Sequence, residues 1–272
     1  MPSPLAYGIA PLNSADTLPG ERQPAILQLL REQGRVLASP VALQFGVSGG
    51  SIRRDLRELA QRGLCRRVHG GALPLTPTFP PLAERQQQDL PRKQALALRA
   101  AGLVRHGEVI ALDAGSTNSA IAAMLPRDLQ LRVVTNAPDI ALLLMGREGM
   151  EASLIGGRLE RRSGAVLGSQ AMECLAELHV DVCFAGTCAI DREGTAWAVD
   201  GEEAAFKRAL VRCADRMVVV VSNEKLGAIA SHRIASREQV DVLLVEADAP
   251  TALVDALRLQ GLDVIVSGAP SS

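Results

Sequence analysis

The chain has 272 residues, of which 47% are hydrophobic, 22% are charged and only 2% are aromatic. This length favours two domains, or one large one, with a core of Ala, Val, Leu and Ile. A formal net charge of −1 indicates no particular partner by itself. No run approaches the about 18 apolar residues that a membrane span needs, and prolines interrupt the N-terminal stretch. We therefore expect a soluble, cytoplasmic protein without a membrane partner.

The cysteines and glycines carry no cofactor signature. The five cysteines form no CxxC pair and have no metal-ligand spacing, which favours buried, reduced thiols. The chain also lacks a Walker loop and a GxGxxG motif. We expect no metal and no cofactor.

The N-terminal quarter predicts a tail and then a compact helical unit. Residues 1–20 are rich in Pro, Ser and Gly and lack periodicity, which predicts a disordered tail. Residues 21–33 carry apolar side chains at i, i+3 and i+4, the pattern of an amphipathic helix. A short second helix over about residues 40–45 follows, with Gly46 as a turn residue.

A third helix begins after Ser48, a good N-cap, and extends to about Arg62, where Gly63 ends it. Three apolar side chains share the face that packs inward: Ile52, Leu56 and Leu59. The opposite face is cationic and has no side chain at its N-terminal end: it holds Gly50, Arg53, Arg54, Arg57 and Gln61. Such a face, beside the free N–H groups of a helix N-terminus, suits phosphates and base edges in a major groove.

The charge distribution agrees with this interpretation. Residues 21–71 contain nine arginines and four acidic residues, a net charge of +5 in a chain whose total is −1. The segment "CRRVHGGA" after the third helix predicts a short basic hairpin with Gly70 and Gly71 at its turn or its exit. Three helices followed by a basic hairpin form a winged helix-turn-helix, which meets a polyanion.

The segment "FGVSGGSIRRDLRELAQRGLCRRVHGGA" resembles the N-terminal signature of the DeoR family of bacterial transcriptional regulators, and the match covers residues 21–72. The resemblance implies a double-stranded DNA operator as partner, with Ser48, Ser51, Arg53 and Arg54 on the recognition helix and His69 in the wing. Together with the cationic face, the expected DNA-binding residues are Ser48, Gly50, Ser51, Arg53, Arg54, Arg57 and His69. Ser51 stands where the family usually has Thr, and Gly49 and Gly50 replace larger polar residues.

The remaining sequence predicts a linker and then a larger domain. Residues 73–91 are rich in proline and poor in periodicity, which is typical of a linker. From residue 92 to residue 268, Val/Ile/Leu-rich segments such as "EVIALDA", "LRVVTN" and "VDVCFAGT" alternate with helical patterns. This alternation predicts an α/β fold: the winged helix-turn-helix is followed by a doubly wound, mostly parallel α/β effector domain.

Several predicted strands end in polar or glycine residues. "LDAGSTNSA" places Gly115, Ser116 and Thr117 where a strand meets a helix N-terminus, which favours an anion site. "VVTNA" and "LIGG" end two further strands, and such ends converge on one crevice in a parallel sheet. Lys207 lies four residues after Glu203, so the two predict a helical ion pair.

The motifs "DAGST", "TNA", "GG", "VDVCFAGT" and "EKLG" follow the order of the DeoR-family effector domain, which is similar to ribose-5-phosphate isomerase. The resemblance covers about residues 93–266 and implies a phosphorylated sugar as effector. The expected effector-binding residues are Asp113, Gly115, Ser116, Thr117, Asn118, Thr135, Asn136, Gly157, Asp181, Glu203, Lys207 and Lys225. The chain departs from the family pattern at Asn223 and Glu224, and again at Glu246.

Two hypotheses of function follow. The first is a sequence-specific regulator, a repressor of carbohydrate metabolism genes without catalytic residues, whose operator affinity a phosphorylated sugar controls. The alternative is an active sugar-phosphate isomerase with an appended DNA-binding module, for which Asp113, Glu203 and Lys207 are chemically competent. The intact "IRRDL" and "RVHGGA" favour the regulator. Because an operator read by one short helix per subunit requires two or more subunits, we expect a homo-oligomer.

Overall fold

The computed structural model describes residues 19–33, 35–73 and 79–268 of the chain. Two compact units divide between Leu75 and Thr76. Most of the predicted tail lies outside the described residues, and its last two residues, Pro19 and Gly20, begin the first helix.

The first unit consists of three helices and a small antiparallel sheet. Its elements are α1 (Pro19–Gln33), β1 (Val36–Leu37), α2 (Ala38–Gln44), α3 (Gly49–Gln61), β2 (Arg66–Val68) and β3 (Gly71–Leu73). The strands lie in the order β1-β3-β2, and the β2–β3 hairpin turns at His69 and Gly70. The predicted winged helix-turn-helix is confirmed.

Helix α3 is anchored from behind by the three predicted apolar side chains. Ile52, Leu56 and Leu59 are each at most 2% exposed, and they share one core with apolar residues of α1 and α2. Ser48 caps the helix, because its Oγ accepts a hydrogen bond from the Ser51 N–H at 3.1 Å. The predicted orientation of this helix is therefore confirmed.

A buried ion pair joins α1 to α3. The Arg22 Nε lies 2.6 Å from Asp55 Oδ2, and both residues are buried. Arg22 is one of the nine arginines counted in the basic segment, so this charge lies inside the unit and is neutralised there. Nearer the surface, Gln23 Nε2 donates to Glu58 Oε2 at 2.7 Å.

The predicted linker is partly helical, which corrects the interpretation of residues 73–91. Leu73 belongs to β3, residues 74–78 lie outside the described residues, and two helices follow: α4 (Leu82–Gln87) and α5 (Leu90–Ala101). A six-residue helix has little stability of its own, and tertiary contacts decide it. Here the Leu82 side chain is buried and its N–H donates to Arg162 O at 2.9 Å.

The second unit is built on a seven-stranded sheet. Its further elements are β4 (Val109–Leu112), α6 (Ser116–Met124), β5 (Leu131–Thr135), α7 (Pro138–Leu144), β6 (Met150–Leu154), β7 (Arg158–Leu159), β8 (Val166–Leu167), α8 (Ser169–Ala176), β9 (Val180–Phe184), β10 (Ala189–Ile190), β11 (Ala196–Ala198), α9 (Gly201–Arg212), β12 (Ala214–Val220), β13 (His232–Ala235), β14 (Val242–Val245), α10 (Thr251–Leu259) and β15 (Asp263–Val266). The large sheet has the order β15-β14-β12-β9-β4-β5-β6, and all its neighbouring strands are parallel. The predicted α/β fold class is confirmed.

The strand order places a topological switch point between β4 and β9. From β4 the chain adds β5 and β6 on one side, and then returns to add β9 and β12 on the other. Ligands of open α/β sheets bind outside the carboxyl ends of the strands at such a point. The loops after β4 and β9 are therefore the first place to look for a site.

The cysteines only partly follow the expectation of buried thiols. All five are free; Cys65 and Cys183 are buried, whereas Cys174 is exposed on α8. Burial raises the pKa of the Cys65 thiol, which keeps it protonated. No helix among the described residues has the length and apolar character needed to cross a bilayer.

We predict that Asp55→Ala destabilises the first unit by about 3–5 kcal/mol, because it leaves the buried Arg22 guanidinium without its carboxylate. Urea unfolding followed by circular dichroism measures the loss. Glu21→Ala, which removes an exposed carboxylate in the first turn of α1, is the control and should cost less than about 1 kcal/mol. Equal losses in the two variants would show that the buried pair is not special.

Candidate functional site

The first candidate site is the outward face of α3. Arg53, Arg54 and Arg57 are exposed there, together with Gly50 and Gln61. A Cβ added at Gly50 would meet only Ser48 Oγ, at 3.5 Å, which is an ordinary contact. The fold itself therefore does not require a glycine, and the bare backbone leaves this end of the helix open to close approach.

Two predicted DNA-binding serines have a structural role. Besides its bond to the Ser51 N–H, Ser48 Oγ lies 3.0 Å from Ser51 Oγ, so the two hydroxyls are hydrogen bonded to each other. His69 is exposed at the turn of the hairpin, as predicted for the wing. Arg66 and Arg67 on β2 are also exposed, and their charge in "CRRVHGG" was the signal that they belong to the same basic surface.

The second candidate site is a cavity of about 380 Å3 in the second unit, at the carboxyl ends of β4 and β9. Its lining includes seven of the predicted effector-binding residues: Gly115, Ser116, Thr117, Asn118, Glu203, Lys207 and Lys225. A second chamber of about 230 Å3 adjoins it and shares Phe79, Arg85, Ser116, Thr117 and Lys225 with it. We refer to the two chambers together as the effector cavity.

A buried ion pair between Asp113 and Lys207 adjoins the effector cavity, and Lys207 is the member of the pair that lines it. Asp113 is buried at the end of β4, and its Oδ2 accepts hydrogen bonds from Lys207 Nζ and from the Gly186 N–H, the latter at 2.9 Å. Lys207 pairs with Asp113 rather than with Glu203, because α9 turns this side chain inward. Burial alone would lower the pKa of Lys207, but the charges of Asp113 and Glu203 raise it above its ordinary value.

Gly186 has no side chain, so the ion pair of Asp113 and Lys207 can lie against its backbone. A Cβ at this position would lie 2.9 Å from Asp113 Oδ2 and 3.3 Å from Lys207 Nζ, closer than a side chain tolerates. Two buried oxygens beside it, Asp113 Oδ1 and Thr187 Oγ1, have no hydrogen-bond partner among the described residues. Buried polar atoms are normally satisfied, so these oxygens indicate a water or ligand at the cavity.

Lys225 supplies a second cation. It ends a short 3-10 helix, Asn223–Lys225, after β12, and its Nζ lies 5.4 Å from the centre of the Phe79 ring. The pKa of Lys225 is lowered to about 8, chiefly by burial; the charges of Arg85 and Lys207 also lower it, whereas Cys188 and Glu224 raise it. A negatively charged ligand would favour its ammonium form.

The amino end of α6 faces the same space. Gly115 precedes this helix and has no side chain with which to cap it, so the first N–H groups and the Ser116 and Thr117 hydroxyls border the cavity. Asn118 holds the loops in place, because its Nδ2 donates to Asp113 O at 2.8 Å and to Phe184 O at 2.9 Å. This arrangement favours an anion at the helix N-terminus.

Five predicted effector-binding residues lie outside the lining of the cavity described here: Asp113, Thr135, Asn136, Gly157 and Asp181. Thr135 Oγ1 donates to Leu112 O at 2.6 Å, and Asn136 Oδ1 accepts from the Ala114 N–H at 2.9 Å, so both brace the loop after β4. Asp181 lies near the start of β9, at the amino ends of the strands, where it accepts a hydrogen bond from the Val109 N–H at 2.7 Å.

The backbone at position 157 requires a glycine for structural reasons. Its φ is +145°, and a Cβ there would lie 2.6 Å from Leu167 O. Other lining residues were missing from the predicted set: Phe79, Arg85, Arg162, Thr187, Cys188 and Asp200. Thr187 was recognisable because it follows "VDVCFAG" at the carboxyl end of a strand. Arg85 lies on the short helix α4 and Arg162 in the loop between β7 and β8, and only the folded structure brings them to the cavity.

Within the ranges that the structure describes, no group of three or more His, Cys, Asp and Glu side chains is arranged to hold a metal ion.

Two family models match the chain. A DeoR-like helix-turn-helix domain matches residues 22–78, and the DeoR C terminal sensor domain matches residues 88–247. The chain belongs to the DeoR family. It is a transcriptional regulator, and its first unit is the DNA-binding domain.

Relatives that match this DeoR-family chain over nearly their whole length are named as transcriptional regulators. The HTH-type transcriptional regulator GlpR of Haloferax volcanii is 33% identical over 250 residues, 91% of this chain and 98% of that protein. The glycerol-3-phosphate regulon repressor of Escherichia coli is 31% identical over 238 residues, 87% of this chain and 94% of that protein. Among solved structures, ribose 5-phosphate isomerase A of Methanocaldococcus jannaschii is 19% identical, with a TM-score of 0.36, and covers 51% of this chain and 55% of its own.

We predict that Arg54→Ala weakens DNA binding of this DeoR-family regulator by about 1–3 kcal/mol, the value of an arginine–guanine contact. Fluorescence anisotropy on a duplex selected from a random-sequence pool measures the affinity, and a salt series should give a steep slope because phosphate contacts release counterions. Arg192→Ala, an exposed arginine of the second unit, is the control and should leave the affinity unchanged. An unaltered affinity for Arg54→Ala, or a flat salt response, would contradict the assigned face.

Proposed function

We propose that the protein is a repressor of carbohydrate metabolism genes whose affinity for its DNA operator is controlled by a phosphorylated sugar bound in the effector cavity. One observation carries this proposal: a single cavity combines cations and a helix N-terminus with carboxylates and hydroxyls. A phosphorylated sugar has the matching parts, an anionic group and a polyol.

The anionic group has a clear set of partners. Lys225, Arg85 and the amino end of α6 border both chambers of the effector cavity. Cations and helix N–H groups together stabilise a phosphate. Lys207 is less available to the anion because its ammonium is already paired with Asp113.

The polyol has partners on the other side of the cavity. Asp200 and Glu203 at the start of α9 line it, and the buried Thr187 hydroxyl has no partner among the described residues. Carboxylates accept hydrogen bonds from sugar hydroxyls, and a hydroxyl both donates and accepts. A cavity of about 380 Å3 suits a small metabolite rather than a macromolecule.

The names of relatives support both halves of the proposal. Several are named repressors, and three of these are named for the regulon of glycerol 3-phosphate, which is a phosphorylated polyol. The exposed arginines of α3 supply the operator contacts. Because one recognition helix reads only a half-site, we propose that a homo-oligomer presents two or more such helices.

We predict that a phosphorylated sugar, and not its unphosphorylated parent, stabilises the protein and changes its operator affinity. A thermal-shift screen with ribose 5-phosphate, glucose 6-phosphate and glycerol 3-phosphate against ribose, glucose and glycerol measures binding, because a ligand of the folded state raises its stability. Fluorescence anisotropy with operator DNA then measures the regulatory effect. A screen in which no phosphorylated compound alters operator affinity would refute the proposal, and turnover of one at an enzymatic rate would favour the isomerase alternative.

We predict that effector affinity falls as the pH rises through about 8, because Lys225 loses the proton that its charge requires. The loss should be at most about tenfold per pH unit, the slope for one proton. A phosphate monoester is already a dianion there, since its second pKa is near ~6. Isothermal titration calorimetry over the pH range measures the affinity, and Lys225→Arg, which stays charged, should flatten the profile. A slope that persists in Lys225→Arg would assign the titration to another group.

A further inference from the structure

The chain passes along the effector cavity as soon as it enters the second unit. That unit begins at Thr76, and Phe79 and Pro80, its first described residues, line the cavity. Arg85 on α4 lines both chambers. One wall of the cavity is therefore made by the segment that follows the DNA-binding unit in the sequence. We call residues 79–87 the cavity strap.

The cavity strap is fastened by a few specific contacts. Arg162 Nη2 donates to Phe79 O at 2.8 Å, and the Leu82 N–H donates back to Arg162 O at 2.9 Å. Gln86 Nε2 donates to Asp139 Oδ2 at 2.8 Å. These hydrogen bonds tie the strap to the loop between β7 and β8 and to the start of α7.

The strap ends at a change of chain direction. Asp89 has a φ of +50°, in the left-handed region, so α4 and α5 are separate helices. Lys93 on α5 holds the end of α4, because its Nζ donates to Arg85 O and to Gln88 O. The position of α4 therefore depends on side-chain contacts and not on a continuous helix.

Arg85 is the strap residue best placed to meet an anion. Its Nε donates to Pro80 O at 3.0 Å, which fixes the stem of the side chain, whereas Nη1 and Nη2 have no hydrogen bond to any described residue. Burial lowers the pKa of Arg85, and the positive charge of Arg162 lowers it too. Arg85 and Lys225 border the same two chambers with like charges, so an anion between them would relieve their repulsion.

We propose that Arg85 grips the anionic group of the effector with its two free nitrogens and so transmits effector binding, through the cavity strap, to the DNA-binding unit. This inference rests on the proposed function for the identity of the effector. A ligand shifts an equilibrium only by binding one arrangement of the protein better than another. Contact with Arg85 gives that difference, because it favours the arrangement in which the strap lies against the cavity.

Inorganic phosphate tests the contact itself. The thermal shift of the full chain is measured as a function of phosphate concentration. To reach half of the wild-type shift, Arg85→Gln should need at least about tenfold more phosphate than the wild type, as expected for loss of a charge-assisted pair. Arg99→Gln, an exposed arginine on α5, is the matched control and should respond as the wild type does. Equal phosphate responses of Arg85→Gln and the wild type, or no response of the wild type, would overturn the contact.

The ratio of operator affinities without and with saturating ligand tests the transmission. It is measured by anisotropy for each variant with the most effective sugar phosphate, or with inorganic phosphate if no sugar phosphate acts. In Arg85→Gln the ratio should fall toward one even at saturation, while Arg99→Gln keeps the wild-type ratio. A wild-type ratio in Arg85→Gln would overturn the transmission while leaving the proposed function intact. If Arg85→Gln does not fold, Arg85→Lys, which keeps the charge but lacks the two-pronged grip, takes its place with the same expectation.

Discussion

The effector cavity depends on one buried ion pair. Asp113 at the end of β4 holds Lys207 of α9 and the N–H of Gly186 after β9, so one carboxylate joins the carboxyl ends of two strands to a helix. Each charge of the pair is matched by the other, which offsets the cost of burying both. The switch point of the sheet becomes a defined hollow at this junction.

Where pattern alone determines structure, the sequence was sufficient. The Val/Ile/Leu runs predicted the central strands because a strand that is buried on both faces consists almost entirely of apolar residues. The face of α3 followed from Ile52, Leu56 and Leu59 at helical spacing. Helix α4 was not recognisable, because six residues after two prolines carry no period and the fastening partners, such as Arg162, lie far away in the sequence.

Only part of the cavity lining followed from the polar residues at strand ends. Gly115, Ser116 and Thr117 after β4 line the cavity, whereas Thr135 and Asn136 at the end of β5 bond to nearby backbone and brace the loop. Asp181 is the second residue of its strand, which already put it at the amino end. Helical spacing paired Lys207 with Glu203, but burial of α9 against the sheet gave it Asp113 instead.

Two of the positions where the chain departs from the family pattern, Asn223 and Glu246, are joined by a hydrogen bond. Glu246 Oε2 accepts from the Asn223 N–H and from Arg92 Nη1, each at 2.9 Å. This network holds the turn that presents Lys225. The cavity wall combines contributions from β12, the turn after it, α5 and the cavity strap.

A crystal structure of the full chain with a bound sugar phosphate would show the effector contacts directly. We predict the phosphate between Lys225, Arg85 and the amino end of α6, with the sugar hydroxyls toward Asp200, Glu203 and Thr187. A phosphate bound outside this cavity, or a sugar turned so that its hydroxyls meet Arg85 and Lys225, would contradict this prediction.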